Sequence, residues 1–140
     1  MVAEFPNLTI SSSGTLPDVP FLAIKDKVLG KRYELSIAFV TPKQAQALNI
    51  EHRGKDYIPN TLSFPLTKSS GEIVLCMSVL KQQHKEFGMD LTTFIIFIVI
   101  HSMLHLVGMD HGDIMERKER QLLKAFCPHI PNETLHLSRH

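Results

Sequence analysis

No tryptophan occurs in the chain, and its only cysteines are Cys76 and Cys127. They lie far apart and form no Cys-x-x-Cys pair, so neither a disulfide framework nor cysteine ligation of a metal is expected. Two free thiols fit a reducing compartment, and a cytoplasmic protein is the simplest account. Charge of one sign is also missing: 15 Lys and Arg face 14 Asp and Glu, for a net +1. No global field therefore draws in nucleic acid, and a polyanion has to be met by a local patch. Met1-Val2-Ala3-Glu4-Phe5-Pro6 lacks the basic-then-apolar order of a secretory signal. The greasiest run, Thr92 to Ile100, is too short to span about 30 Å of hydrocarbon, and its continuation carries His101, Ser102 and His105. No membrane partner is expected. Apolar on all sides, the run reads as a central core helix.

Three of the eight histidines fall within the eleven positions that follow, His101, His105 and His111. On a helix His101 and His105 are i and i+4, close enough for both rings to reach one ion at about 2.0–2.1 Å. An unbroken helix would carry His111 some 120° off that face and about 9 Å further along the axis. The chain has to reverse, and Gly108 stands where a left-handed residue ends a helix, with Asp110 able to tie down the turn. Three neutral imidazoles with an open fourth position are the pattern of a catalytic zinc. The bland alternative is a buried helix whose two histidines bond carbonyls, with a third in a loop. The spacing also matches the zincin pattern His-Glu-x-x-His-x-x-Gly-x-x-His, except that Ser102 replaces the glutamate that takes a proton from water. Peptide hydrolysis is demoted accordingly, whereas water activation or phosphate binding by the ion stays open.

The chain, at 140 residues, fits one domain. Residues 1–16 read as a loose lead-in with a short strand near Leu8-Thr9-Ile10. Residues 18–29 read as a helix capped by Asp18 and stopped by Gly30, with Lys25, Lys27, Lys31 and Arg32 as a solvated cluster or an RNA contact. Leu35 to Phe39 alternates as a strand, and Thr41-Pro42 starts a helix to about Asn49. A turn-rich loop follows over 53–60. Thr61 to Phe64 is a strand stopped by Pro65, and Ile73 to Cys76 is another. Ser78 caps a helix to about Phe87, and the central helix starts near Leu91. Residues 114–126 form an amphipathic helix with Leu122, Leu123 and Phe126 inward and the charged run 116–120 outward. Residues 128–140 look like a tail. The expected class is α+β: a small mixed sheet of about four strands with about five helices, the buried central one carrying the histidines.

Three segments in order, Arg53-Gly54-Lys55-Asp56 leading into Leu62-Ser63-Phe64-Pro65, then Gly71-Glu72-Ile73, then the block His101/His105/Gly108/Asp110/His111, resemble the YbeY family of bacterial endoribonucleases. The likeness covers roughly residues 33 to 126. It implies one α+β domain, a metal ion generally taken to be zinc (Zn²⁺) on His101, His105 and His111, and cleavage of single-stranded RNA during ribosomal RNA maturation and ribosome quality control. It also implies contact with ribosomal RNA or the small ribosomal subunit, and no DNA. Arg53 would face the metal and hold a phosphate oxygen with its planar fork. Arg53 and His101 are thus the expected catalytic pair. Ser102, Met109 and Pro59 stand where the family usually has glycine, tyrosine and threonine, beside the ligands rather than on them.

Two rival functions are set against this one: a metallohydrolase of another substrate, and a non-catalytic ribosome-assembly factor whose metal is structural. A fourth protein ligand would mark the latter, and the sequence offers none that is obvious. Asp110 is expected to serve the turn or to orient a histidine. His52 is expected to be a solvated loop residue, and His84, His129, His136 and His140 to lie on the surface or tail.

Overall fold

A computed structural model describes residues 1–131 and Thr134. A mixed five-stranded sheet is built from β1 (Val2–Phe5), β2 (Leu8–Ser11), β3 (Glu34–Phe39), β4 (Thr61–Thr67) and β5 (Ser70–Leu75), in the order β1-β2-β3-β5-β4. The two central pairings, β2 with β3 and β3 with β5, are parallel, and the outer two are antiparallel. Among the described residues the α-helices that accompany it include α1 (Phe21–Val28), α2 (Pro42–Arg53), α3 (Met77–Gln83), α4 (Leu91–Leu106) and α5 (Asp113–Phe126). The expected α+β class holds, with one strand more than anticipated.

The added strand comes from the N-terminus, which is not a loose lead-in. Pro6 and Asn7 make a tight turn, Asn7 taking a left-handed φ of 58°, and β1 and β2 pair across it. Leu8 and Ile10 then align with Leu35 and Ile37 of β3, and these with Gly71 and Ile73 of β5. Apart from Gly71 these side chains share one buried apolar face, because alternate residues of a strand point the same way.

That face meets α4. Asp90 caps the helix by accepting from Thr93 N at 2.7 Å, and 12 of its 16 residues are buried. A helix apolar all round belongs inside a core, so α4 lies between the sheet and α1 and α5. Among the described residues no single helix is long and apolar enough to cross a membrane.

Several boundaries differ from expectation for local reasons. Asp18 does not cap α1, which starts at Phe21 after Pro20; a residue preceding proline is pushed out of the helical region, and Val19 holds that place. At α2 the capping box between Thr41 and Gln44 forms, but the helix runs on to Arg53, where Gly54 closes it. β4 passes through Pro65 instead of stopping, which its position at the sheet edge permits. Ser78 is not a cap: β5 runs almost directly into α3, with Cys76 at the N-cap and no side-chain hydrogen bond there. Helical structure still reaches Phe87, as a 3-10 turn over His84–Phe87.

Lys25 is fully buried rather than solvated, its Nζ donating to the carbonyl of Lys31 at 2.9 Å and to Asp26 at 3.2 Å. Cys127 follows α5 as expected, but Ile130 packs into the core, so the chain beyond it is not a free tail at that point. His136 and His140 lie outside the described residues.

Candidate metal centre

The reversal after α4 is a Schellman motif. Met109 N donates to Leu104 O at 3.1 Å and Gly108 N to His105 O at 3.0 Å, with Gly108 at φ 89°. Gly112, at φ 151°, opens α5 directly after His111. His111 is thereby returned to the end of α4. Its ring centroid lies 5.2 Å from that of His101 and 4.8 Å from that of His105, and the latter two are 4.4 Å apart. One ring nitrogen from each falls within 4.8 Å of the others, a group that could hold a metal ion. His101 is buried, His105 half-buried and His111 exposed, so the group opens on one side to solvent.

Two hydrogen bonds decide which nitrogen of each helical histidine faces inward. His101 Nδ1 lies 3.1 Å from Glu119 Oε1, and His105 Nδ1 lies 2.9 Å from the carbonyl of Met109. A carboxylate and a carbonyl only accept, so each Nδ1 carries the proton and each Nε2 presents a lone pair. These two Nε2 atoms sit 3.0 Å apart. Two lone pairs at that distance repel unless a cation lies between them, so the donor set fits a metal ion. His101 is also held neutral: burial, then the neighbouring His105 and His111, lower its pKa from 6.5 to about 3.

Glu119 was expected on the solvent face of α5. It is instead 1% exposed, because it lies one turn from Met115 on one side and from Leu122 and Leu123 on the other, all buried. That spacing was the available signal, and the surrounding charge run masked it. Asp110 does not orient a histidine; it is exposed and makes no side-chain hydrogen bond among the described residues. Ser102 is turned away from the triad: its hydroxyl donates to Ile98 O at 2.8 Å and therefore accepts from Thr61, at 2.7 Å. It ties α4 to β4, and Ser63 adds a bond to Ser102 O.

A cavity of about 640 Å³ joins the three histidines to Arg53. Arg53 ends α2, and its Nη1 donates to Tyr57 Oη at 2.8 Å and Asn49 Oδ1 at 3.3 Å. Asn49, which sequence reasoning passed over, is fully buried and donates back to the Tyr57 carbonyl at 3.0 Å. Arg53 makes no ion pair with Asp56 among the described residues, and its Nε and Nη2 form no hydrogen bond to them. His52 is exposed, on the last turn of α2 rather than in a loop. His84 is engaged with the Met89 carbonyl at 2.8 Å, and His129 is exposed.

Fold and site together define an α+β domain with a three-histidine candidate metal centre open to a cavity that holds an arginine. The family model for endoribonuclease YbeY matches residues 18–127. Curated proteins of that name are similar: one from Finegoldia magna is 38% identical over 66% of this chain and 68% of its own length. Another, from Bdellovibrio bacteriovorus, is 41% identical over 68% of this chain, which spans 62% of that relative's length. A solution structure of a Thermotoga maritima protein shares the fold, with a TM-score of 0.55 at 24% identity over 74% of this chain and 77% of the other. The chain belongs to the endoribonuclease YbeY family, and that membership supports an endoribonuclease role.

Proposed function

We propose that the protein is a metal-dependent, single-strand-specific endoribonuclease that acts on ribosomal RNA during maturation and quality control of the ribosome. The observation that carries the reading is the opening of His101, His105, His111 and Arg53 onto one cavity in a chain of an endoribonuclease family. His101, His105 and His111 would hold the ion, which we take to be zinc, an ion that three imidazole ligands suit. When bound, such an ion supplies Lewis-acid stabilisation of a phosphodiester and activation of water.

The chain's own residues contribute binding and orientation. Arg53 has N–H groups to spare once Tyr57 and Asn49 are satisfied, and a planar fork matches two oxygens of a phosphate. It would hold the phosphodiester and offset charge as the transition state forms. Glu119 and the Met109 carbonyl hold two of the three ring nitrogens in the donor state. Ribosomal RNA or the small ribosomal subunit would be the protein's partner, and the cytoplasm its location.

Cleavage of a single-stranded RNA, compared with the same sequence in a duplex, tests the reading. Metal-stripped protein should lose cleavage and regain it with zinc, and His105→Ala should be inactive. Arg53→Ala should slow turnover by about 10²- to 10³-fold, the usual cost of removing a preorganised charge-stabilising donor. Full activity in His105→Ala would overturn the proposal.

A further inference from the structure

Three more rings, His52, Tyr57 and Phe64, line the same cavity as Arg53 and the histidines, and the chemistry assigned above uses none of them. Packing does not explain them either. Tyr57 is 51% exposed, and His52 and Phe64 lean together with centroids 4.8 Å apart and planes at 58°, His52 itself exposed. An exposed ring in a groove keeps an apolar face in water that a flat partner can cover. Tyr57 is also fixed rather than free: Arg53 donates to its hydroxyl at 2.8 Å, and Asn49 holds its carbonyl at 3.0 Å. The guanidinium carbon of Arg53 lies 5.9 Å from the ring centroid. A phosphate on Arg53 would therefore place its own nucleotide beside these rings.

We propose that Tyr57 and the His52–Phe64 pair form a stacking subsite for an unpaired base adjoining the phosphate held by Arg53. The inference deepens the endoribonuclease reading and rests on it for the identity of the ligand. It also supplies a physical source for single-strand preference. A paired base has both faces covered by its neighbours, whereas an unpaired one can be laid against an aromatic ring.

The test uses the full chain as purified and a short single-stranded RNA carrying 2-aminopurine at successive positions. The chain has no tryptophan, so emission from the modified base stands clear of the protein. At the subsite position the base should be quenched on binding, and an abasic residue there should weaken binding about tenfold, the scale of one aromatic stack. Tyr57→Leu and His52→Ala should each reduce the difference between base-bearing and abasic RNA, while Tyr57→Phe, which keeps the ring, should preserve it. Thermal melts of these surface variants check folding. Equal affinity for abasic and base-bearing RNA at every position overturns the subsite, as does an undiminished difference in both ring-deleting variants. Cleavage followed in the same samples separates the two claims. Base-dependent binding without cleavage keeps the subsite and removes the nuclease; cleavage with base-independent binding does the reverse. No binding of RNA at all overturns both.

Discussion

Replacing Glu119 by alanine removes the carboxylate that accepts from His101 Nδ1 and with it one constraint on the tautomer of that imidazole. Loss of such a partner weakens metal binding by about 10- to 100-fold, which competition with a chromophoric chelator would measure. Glu119→Gln keeps an acceptor oxygen and should recover part of the affinity; unchanged affinity in Glu119→Ala would refute the role. The depressed pKa of His101 gives a second expectation, for the metal-free protein. Below pH 6.5 the unfolded chain takes up a proton on this ring, while the native ring resists until about pH 3. The unfolded state thus binds more protons in that window, and native stability falls as pH drops through it, by an amount on the order of a few kcal/mol. Urea unfolding between pH 7 and 4 would show it, and His101→Gln should flatten part of the slope. At this scale the histidines were legible because their spacing is local: i, i+4 and a glycine before the third. Glu119 and Lys25 were not, since charge alone points a side chain to solvent although both occupy helix positions one turn from buried apolar residues.

Between elements, β5 leaves no room for a side chain at Gly71. A methyl group there would come within 2.5 Å of Tyr33 Oη and 2.9 Å of Leu106 Cδ2, pressing β5 against both the start of β3 and the end of α4. Gly71→Ala should therefore cost about 1–3 kcal/mol, the range for overfilling a packed interior, read from the urea midpoint. Because Leu106 precedes the turn that carries His111, metal affinity should fall in the same variant; a wild-type midpoint would show that the neighbours yield freely. Elements with local signals are readable in the sequence: the Thr41-Pro42 start of α2, the apolar length of α4 and the stop at Gly108. Those whose reason is distant are not. The N-terminal segment looked loose because it is short, and its partner strand β3 comes only after the intervening α1. Pro65 looked like a terminator because edge position is a property of the sheet, invisible in β4 alone.

On the scale of the whole molecule, the question is whether the ion holds the fold together or only occupies it. The main apolar core runs from Leu8 on β2 through α4 to Leu123 on α5 and Ile130 beyond it, and none of the three histidines is among its residues. Backbone hydrogen bonds of the Schellman motif already reverse the chain at Gly108. Metal-stripped protein should therefore keep a single cooperative melt. Adding zinc at about 100 times its dissociation constant should stabilise it by about 2.7 kcal/mol, or roughly 10 °C for a chain of this size. His111→Ala, a change on the exposed side of the site, should leave the stripped melt in place and abolish most of the increment. Arg53→Ala should keep the increment while losing cleavage, since its guanidinium contacts Tyr57 and Asn49 rather than the histidines. Calorimetry on these proteins separates the cases: a metal-free chain with no cooperative transition would mean that the ion is a structural strut, and the proposed catalytic role would lose its footing.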